Sequence, residues 1–412
     1  MPGPGMDLIG EEERRQILEV IEGGYLFRYG SEDNPEFKAK VYTLEREVAE
    51  LVGVDYAVGV NSGTTALLVA MIGLGIGAGD EVIVPGYTFV ASMSSIVYAR
   101  AVPILAEVDA TLNLDPDDVR AKITPRTRAI MAVHMLGNPA RMDELKAIAD
   151  EHGLLLIEDC AQAFGASYKG RMLGSIGDVG TYSFNVFKTV TSGDGGMVVT
   201  KDAETYRRCF AVHDQGHSPL RTGVEVGYRP FVGLDFRMTE LAAAVVLAQV
   251  GKLDTIRRRL HANKARLKAG IADLPGLAFR ELPDPEGDLG TLLTVFLPTE
   301  EIARAVAADL GSRVVADSGW HVYSNMEQLL QKRVPTAEGW PDAHPRYTGG
   351  QVDYYAGMLP QTDDLLSRAI NIGIGVRDAG LGSAFGVTVR DGPDEVDAKA
   401  AVFRRVAGVY LG

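Results

Sequence analysis

In the stretch 181–200, TYSFNVFKTVTSGDGGMVVT, one lysine stands between a hydroxyl-rich segment and a Gly-Asp-Gly-Gly turn. An amine in this setting has one notable chemical use. If Lys188 is desolvated and close to another cation, its pKa falls and it can condense with an aldehyde to a Schiff base. Pyridoxal phosphate (PLP) is the aldehyde cofactor that works this way, paired through its pyridinium nitrogen with an acidic residue. The plain alternative is a surface lysine in a turn, the commoner case for such a stretch taken alone.

Three further groups could serve the same chemistry. The strand YAVGV runs into Asn61-Ser62-Gly63-Thr64-Thr65 and then an apolar helix. A helix start with free N–H groups and hydroxyls is a ready phosphate site, and Gly63 would let the backbone approach closely. Ordinary N-capping explains the same residues. Tyr87 and Phe89 follow the strand EVIVP, where open α/β sheets bind ligands, so an aromatic there either stacks on a ring or fills the core. The run LLLIED ends on Asp159, at the carboxyl end of a strand beside the presumed cleft.

Elements of alternating type must position these groups. Strand and helix patterns alternate from 56 to 200, which predicts an α/β fold with a mostly parallel sheet and helices on both faces. Residues 10–22 and 38–52 read as helices, with a loop-like arm between them. TYSFNV and MVVT are strands flanking Lys188, and LDFRMTELAAAVVLAQVGKL reads as a closing apolar helix. The basic run 252–262 marks a break to a smaller α+β part: strand LTVFLP, helix EEIARAVAADLG, strand RVVADS, then a loop 319–361 too long for an idle connector. The expected organisation is an N-terminal helix and arm (1–35), a large domain (36–250) and a small C-terminal domain (251–412).

Length and composition bound the function. The 412 residues suffice for two domains, and 46% apolar with 23% charged residues is ordinary for a globular chain. A net charge of −14 argues against non-specific nucleic-acid or anionic-membrane binding. Two cysteines cannot build a disulfide framework, and there is neither a signal core nor an 18-residue apolar span, so a cytoplasmic location is expected.

The order of hydroxyl turn, aromatic, strand-end acid and lysine resembles fold type I PLP enzymes, and among them the DegT/StrS family of sugar aminotransferases. The resemblance rests on NSGTTALLVA, DEVIVPGYTFVAS, LLLIEDCAQAFGASYKGRMLGSIGDVGTYSF, FKTVTSGDGGMVVT and GLDFRMTELAAAV, across roughly residues 40–250, with a weaker likeness beyond. It implies that Lys188 holds PLP and shuttles a proton, and that Asp159 pairs with the pyridinium nitrogen. Gln162 would lie near the ring hydroxyl and Phe89 would stack on the ring. Ser62, Gly63, Thr64, Thr65 and Ser183 would form the phosphate site. Some relatives carry histidine at the lysine position and act as dehydratases; the lysine here implies transamination.

The family's G-x-N-x-R-M block reads Gly233-Leu234-Asp235-Phe236-Arg237-Met238 here, with Asp235 in place of an asparagine that reaches the phosphate from a neighbouring subunit. An aspartate is repelled by phosphate unless paired, so Asp235 is expected to turn toward Arg237 or the substrate. The resemblance also implies a homodimer with a shared site, glutamate or glutamine as amino donor, and a keto sugar or keto-cyclitol as acceptor. Gly319 to Glu327 looks like the branch that aminates an eight-carbon keto-deoxy sugar acid, with Asn185, His321 and Tyr323 as substrate contacts. Dehydration–aromatisation or C–C bond chemistry on the same fold is the alternative enzyme reading, and a sensory protein without turnover the non-enzyme one.

Overall fold

The computed structural model describes residues 3–31, 33–219 and 229–412. Residues 1 and 2 of the expected N-terminal segment and residue 32 of the expected arm lie outside these, as do residues 220–228.

The chain opens with a short turn of helix, α1 (Pro4–Asp7), then α2 (Glu11–Gly23) and α3 (Lys40–Val52). In α3, Val41, Leu44, Val48 and Val52 recur at helical spacing and are all buried. The helix stops at Gly53, whose φ of 77° supplies the left-handed cap. The large sheet is then laid down by β1 (Tyr56–Val60), α4 (Gly63–Gly73), β2 (Glu81–Pro85), α5 (Val90–Tyr98), β3 (Val102–Ala106), α6 (Pro116–Lys122), β4 (Thr127–Val133), α7 (Met142–His152) and β5 (Leu155–Asp159). A small hairpin, β6 (Ser167–Tyr168) with β7 (Arg171–Met172), precedes β8 (Val179–Ser183) and β9 (Gly196–Thr200).

These make a seven-stranded sheet in the order β1-β9-β8-β5-β4-β2-β3. It is parallel except at β9, which runs antiparallel to both β1 and β8. Side chains alternate between two buried clusters, one per face: Met131 and Val133 on one side, Ile130 and Ala132 on the other. Both faces are therefore covered, as the continuous apolar strands require. In register, Asp159 pairs with Val133 of β4 and Thr181 of β8, so its strand ends in the middle of the sheet.

Beyond β9 come α8 (Ala203–His213), α9 (Glu240–Val250) and the long α10 (Leu253–Ile271). The helix expected from 234 onward starts only at Glu240. Thr239 caps it, and the preceding residues are extended, with Arg237 bridging Val60 and Asp235 bridging Asp214. The C-terminal part holds an antiparallel sheet of β10 (Ala278–Phe279), β11 (Leu292–Phe296) and β12 (Ala369–Gly373), with α11 (Glu300–Asp309), the short α12 (Glu327–Leu330), α13 (Pro360–Ser367) and α14 (Pro393–Leu411).

The strand expected over RVVADS is a single bridge, Val314 to Ile370, followed by a 3-10 turn over Val315–Asp317. The chain leaves the sheet there because Val315 turns into the core of the large sheet, while Asp317 pairs with Arg304 of α11 at 3.0 Å. Up to the start of α13 at Pro360, the segment 319–361 holds only 3-10 turns and the four-residue α12, yet Val322, Tyr323, Met326, Trp340, Tyr354 and Leu359 are buried in that same core. Tyr354 donates to the Pro103 carbonyl at 2.7 Å and Tyr347 to Glu81 at 2.7 Å. The segment is a strap packed over the sheet.

Candidate active site

The carboxyl ends of β5 and β8, the start of α4 and the strap enclose a cavity of about 440 Å³. Its wall includes Ser62, Gly63, Thr64, Phe89, Asp159, Gln162, Ser183, Asn185, Lys188 and His321. Ten of the residues singled out from sequence thus meet in one place.

Lys188 lies on the turn after β8. Burial lowers the pKa of its amine, and the charges of Asp159 and Asp378 push the other way. The sequence expectation invoked a neighbouring cation; among these neighbours the charges are acids, and desolvation is the cause of the shift. Asp159 is buried and held at both oxygens. Ser92 Oγ donates to Oδ2 at 2.7 Å, and the Ala161 N–H donates to Oδ1 at 3.1 Å. Gln162 accepts the Leu136 N–H on its amide oxygen at 2.9 Å, which leaves its NH₂ group to offer to the cavity.

The start of α4 divides its residues between two tasks. Ser62 Oγ accepts the Thr65 N–H at 3.1 Å, so the capping role holds for this serine. Thr65 hydroxyl bonds to Asn61 at 2.8 Å and to Ser62 at 2.7 Å, and Thr65 does not line the cavity. Its expected place in the phosphate site is therefore corrected: its hydroxyl is consumed by the helix start. Gly63 and Thr64 occupy the first two helical positions, whose amides have no intrahelical acceptor. A Cβ on Gly63 would sit 2.5 Å from Cβ of Ser183, so only glycine lets the helix start meet the end of β8.

Of the two aromatics after β2, Tyr87 is wholly buried and Phe89 is 39% exposed and faces the cavity. The core explanation holds for Tyr87, and Phe89 is the one of the two that lines the cavity. The ring of His321 lies 5.3 Å from that of Phe89. Ser318 Oγ bonds to His321 Nδ1 at 2.9 Å, and burial, with the nearby Lys188 charge, lowers the pKa of His321 to about 3.

Tyr323 does not join them. It is fully buried, donates to Asp363 at 2.9 Å and accepts the N–H groups of Gly357 and Leu359 at 3.1 Å each. Its expected substrate contact is corrected to a structural lock on the strap. Asp235 is also outside this chain's cavity; Arg237 donates to it at 2.5 Å. The turn toward Arg237 is thus the one taken. Asn185 faces the cavity and donates to Asp194 at 2.9 Å.

Sequence reasoning missed Trp320, Ser92 and Asp378. Trp320 adjoins His321, is 60% exposed and lines the cavity. Asp378 arrives from the far end of the chain on a 3-10 turn, where it accepts the Gly380 N–H at 2.8 Å. Only the Ser92 position, one helical turn after Phe89, carried a local signal.

These residues fit pyridoxal phosphate. The free amides of Gly63 and Thr64 with the Ser183 hydroxyl suit a phosphate, Asp159 suits a ring N–H, and the desolvated amine of Lys188 suits the aldehyde.

The chain matches the DegT/DnrJ/EryC1/StrS aminotransferase family over residues 7–377. It is 43% identical to GDP-perosamine synthase of Caulobacter vibrioides across 59% of this chain, a match spanning 62% of that protein. With the L-glutamine:2-deoxy-scyllo-inosose aminotransferase of Streptomyces fradiae it shares 34% identity over 85% of this chain and 86% of that one. Among solved structures, S. venezuelae DesV in complex with a ketimine intermediate superposes with a TM-score of 0.74 at 30% identity, covering 96% of this chain and 94% of that one.

Proposed function

The chain belongs to the DegT/DnrJ/EryC1/StrS aminotransferase family, and from that premise we propose that it moves an amino group from glutamine or glutamate to a keto sugar, using PLP as carrier. The observation that carries this reading is the pairing of a desolvated Lys188 with a tethered Asp159 in one cavity. When bound, PLP supplies an aldehyde for the amine and an electron sink for a carbanion.

The rest falls to this chain's own side chains. A lowered pKa raises the neutral fraction of Lys188 near pH 7, so its Nζ can attack a carbonyl and afterwards carry a proton to and from substrate carbon. Asp159 holds a ring N–H and keeps that site protonated. Gly63, Thr64 and Ser183 bind phosphate at a helix start. Neutral His321 offers Nε2 to a substrate hydroxyl, and Trp320 with Phe89 closes the mouth.

The acceptor's class is a polyhydroxy ketone. The described cavity wall carries three acidic side chains, Asp159, Asp194 and Asp378, and neither an arginine nor a lysine other than Lys188, whose amine is taken up by the aldehyde. Such a wall suits neutral hydroxyls better than the octulosonate-type sugar acid suggested by the strap sequence. A cyclitol or a neutral hexose ring is consistent with the relatives named above.

A second copy completes the site in this proposal. Leu26, Phe27 and Leu234 are about half exposed and Val232 is 97% exposed, which leaves an apolar surface around Asp235. The test is a half-reaction. Holoenzyme given L-glutamine or L-glutamate should convert its bound cofactor to the amine form and release the keto acid, and a panel of keto sugars should then regenerate it. Bound PLP that no amino donor converts would overturn transamination, and a fully active monomer would overturn the shared site.

A further inference from the structure

Asp159 is held by more than its strand. Ser92 Oγ donates to its Oδ2 at 2.7 Å, and Thr88 Oγ1 lies 2.7 Å from Ser92 Oγ. Both hydroxyls are buried, and both residues line the cavity. A serine hydroxyl has one proton to give. With that proton on the carboxylate, the other bond must run from Thr88 to Ser92. The chain of donation is therefore directional: Thr88 to Ser92 to Asp159.

This relay is anchored at its far end. The Thr88 N–H donates to the His321 carbonyl and the Val90 N–H to the Trp320 carbonyl, both at 2.9 Å. The strap, the Phe89 turn and the first turn of α5 are thus one unit, and Ser92 is where that unit touches the acid.

We propose that Ser92 is the positioning residue of Asp159, with Thr88 fixing the direction of its proton; this rests on the PLP reading above. The torsion that turns a carboxylate about its own axis is soft. With Oδ1 tied to Ala161 and Oδ2 to Ser92, the plane is set before any ring nitrogen arrives. Among the described residues, Lys188 and Cys160 are titratable groups that the Asp159 charge acts on. Burial raises the Cys160 pKa well above the ordinary thiol range, with the Glu158 and Asp159 charges adding to it, so that thiol stays neutral.

The experiment compares S92A, S92T and T88V with the native protein. Three quantities are read: affinity of the apo protein for PLP, the pH midpoint of the bound cofactor's visible band, and the thermal midpoint of the apo protein. S92A is expected to weaken PLP binding about tenfold, the scale of one hydrogen bond to a charged group. The pH midpoint should rise, since a less firmly protonated ring draws less charge from the lysine-linked nitrogen. S92T should restore both, and T88V should shift both the same way by about threefold in affinity. The apo thermal midpoint should hardly move. S92A with unchanged affinity and pH midpoint sinks this inference alone, as does a thermal midpoint lowered in S92A and S92T alike. A native chain that binds no PLP sinks the function reading with it.

Discussion

The two walls of the cavity are built on different physics. One is the set of strand ends and helix starts carrying Gly63, Asp159, Gln162, Ser183 and Lys188; the other is the strap, with Trp320 and His321, plus the turn carrying Asp378. On the first wall each group lies at the end of a regular strand or within five residues of it, so register and the crossover rule bring it to the cleft. On the second wall no regular element sets direction. His321 and Tyr323 are two residues apart, and a strand would put both on one face; a 3-10 turn begins at Tyr323, and His321 lines the cavity while Tyr323 is buried in the core and bonded to Asp363. Chemistry of residue type was a good guide on the first wall and an even guess on the second.

The same contrast exists within one dipeptide. Glu158 and Asp159 are adjacent on β5, so they face opposite sides of the sheet. Glu158 accepts three backbone N–H groups, from Gly174, Ile176 and Gly177, and lies 3.2 Å from His134 Nε2. His134 Nδ1 accepts the Ala140 N–H, so Nε2 carries the ring proton and donates it to Glu158 Oε2. That carboxylate is structural, whereas Asp159 is the one facing the cavity.

Breaking the first wall should give the largest effect. Lys188→Ala should cut turnover by about 10⁴-fold while the apo protein melts within a few degrees of the native chain; turnover kept within tenfold would remove the lysine from the chemistry. Next comes the dipeptide. Glu158→Gln should cost about 3 kcal/mol in urea denaturation because it breaks a buried, fully bonded carboxylate, whereas Asp159→Asn should abolish activity at a cost of about 1 kcal/mol or less. Equal stability losses in the two would dissolve the distinction.

Glu158 also carries a pH signature. Burial raises its pKa, but His134 and the backbone amides outweigh that and leave it below the ordinary value. A depressed carboxylate pKa stabilises the fold above the unfolded-state pKa, and that stability is lost as pH falls through the folded value. Denaturation midpoints of the native chain should therefore fall in acid more steeply than those of Glu158→Gln.

The second wall should yield smaller, divided effects. Tyr323→Phe leaves the Gly357 and Leu359 amides without their acceptor and should cost about 2 kcal/mol with acceptor KM unchanged. His321→Gln should do the reverse, raising acceptor KM by about fivefold with little loss of stability. Because burial holds His321 near pKa 3, it stays neutral through the working range and adds no inflection to the rate profile. Its folded pKa is below the unfolded one, so its contribution is full above about pH 6.5 and fades as pH falls toward 3. The glutamine variant should flatten that part of the acid limb; an unchanged limb would mean His321 is exposed in solution.

Strand and helix periods, the hydroxyl turn, the strand-end acid and the lysine were readable along the chain because each is a local pattern repeated at a fixed spacing. They determined an α/β sheet, and they named residues that the fold brings into one cavity. What they could not determine was use. Thr65 spends its hydroxyl on the helix start, and Asp235 turns to Arg237, because the nearest partner wins and only packing decides which partner is nearest. Asp378 joins the wall from nearly two hundred residues beyond Lys188, and Tyr323 leaves it for Asp363, through contacts that no sequence spacing encodes. Local periodicity is a property of the backbone and is written in order; hydrogen-bond partners are a property of closed volume, and they exist only once the chain has folded around them.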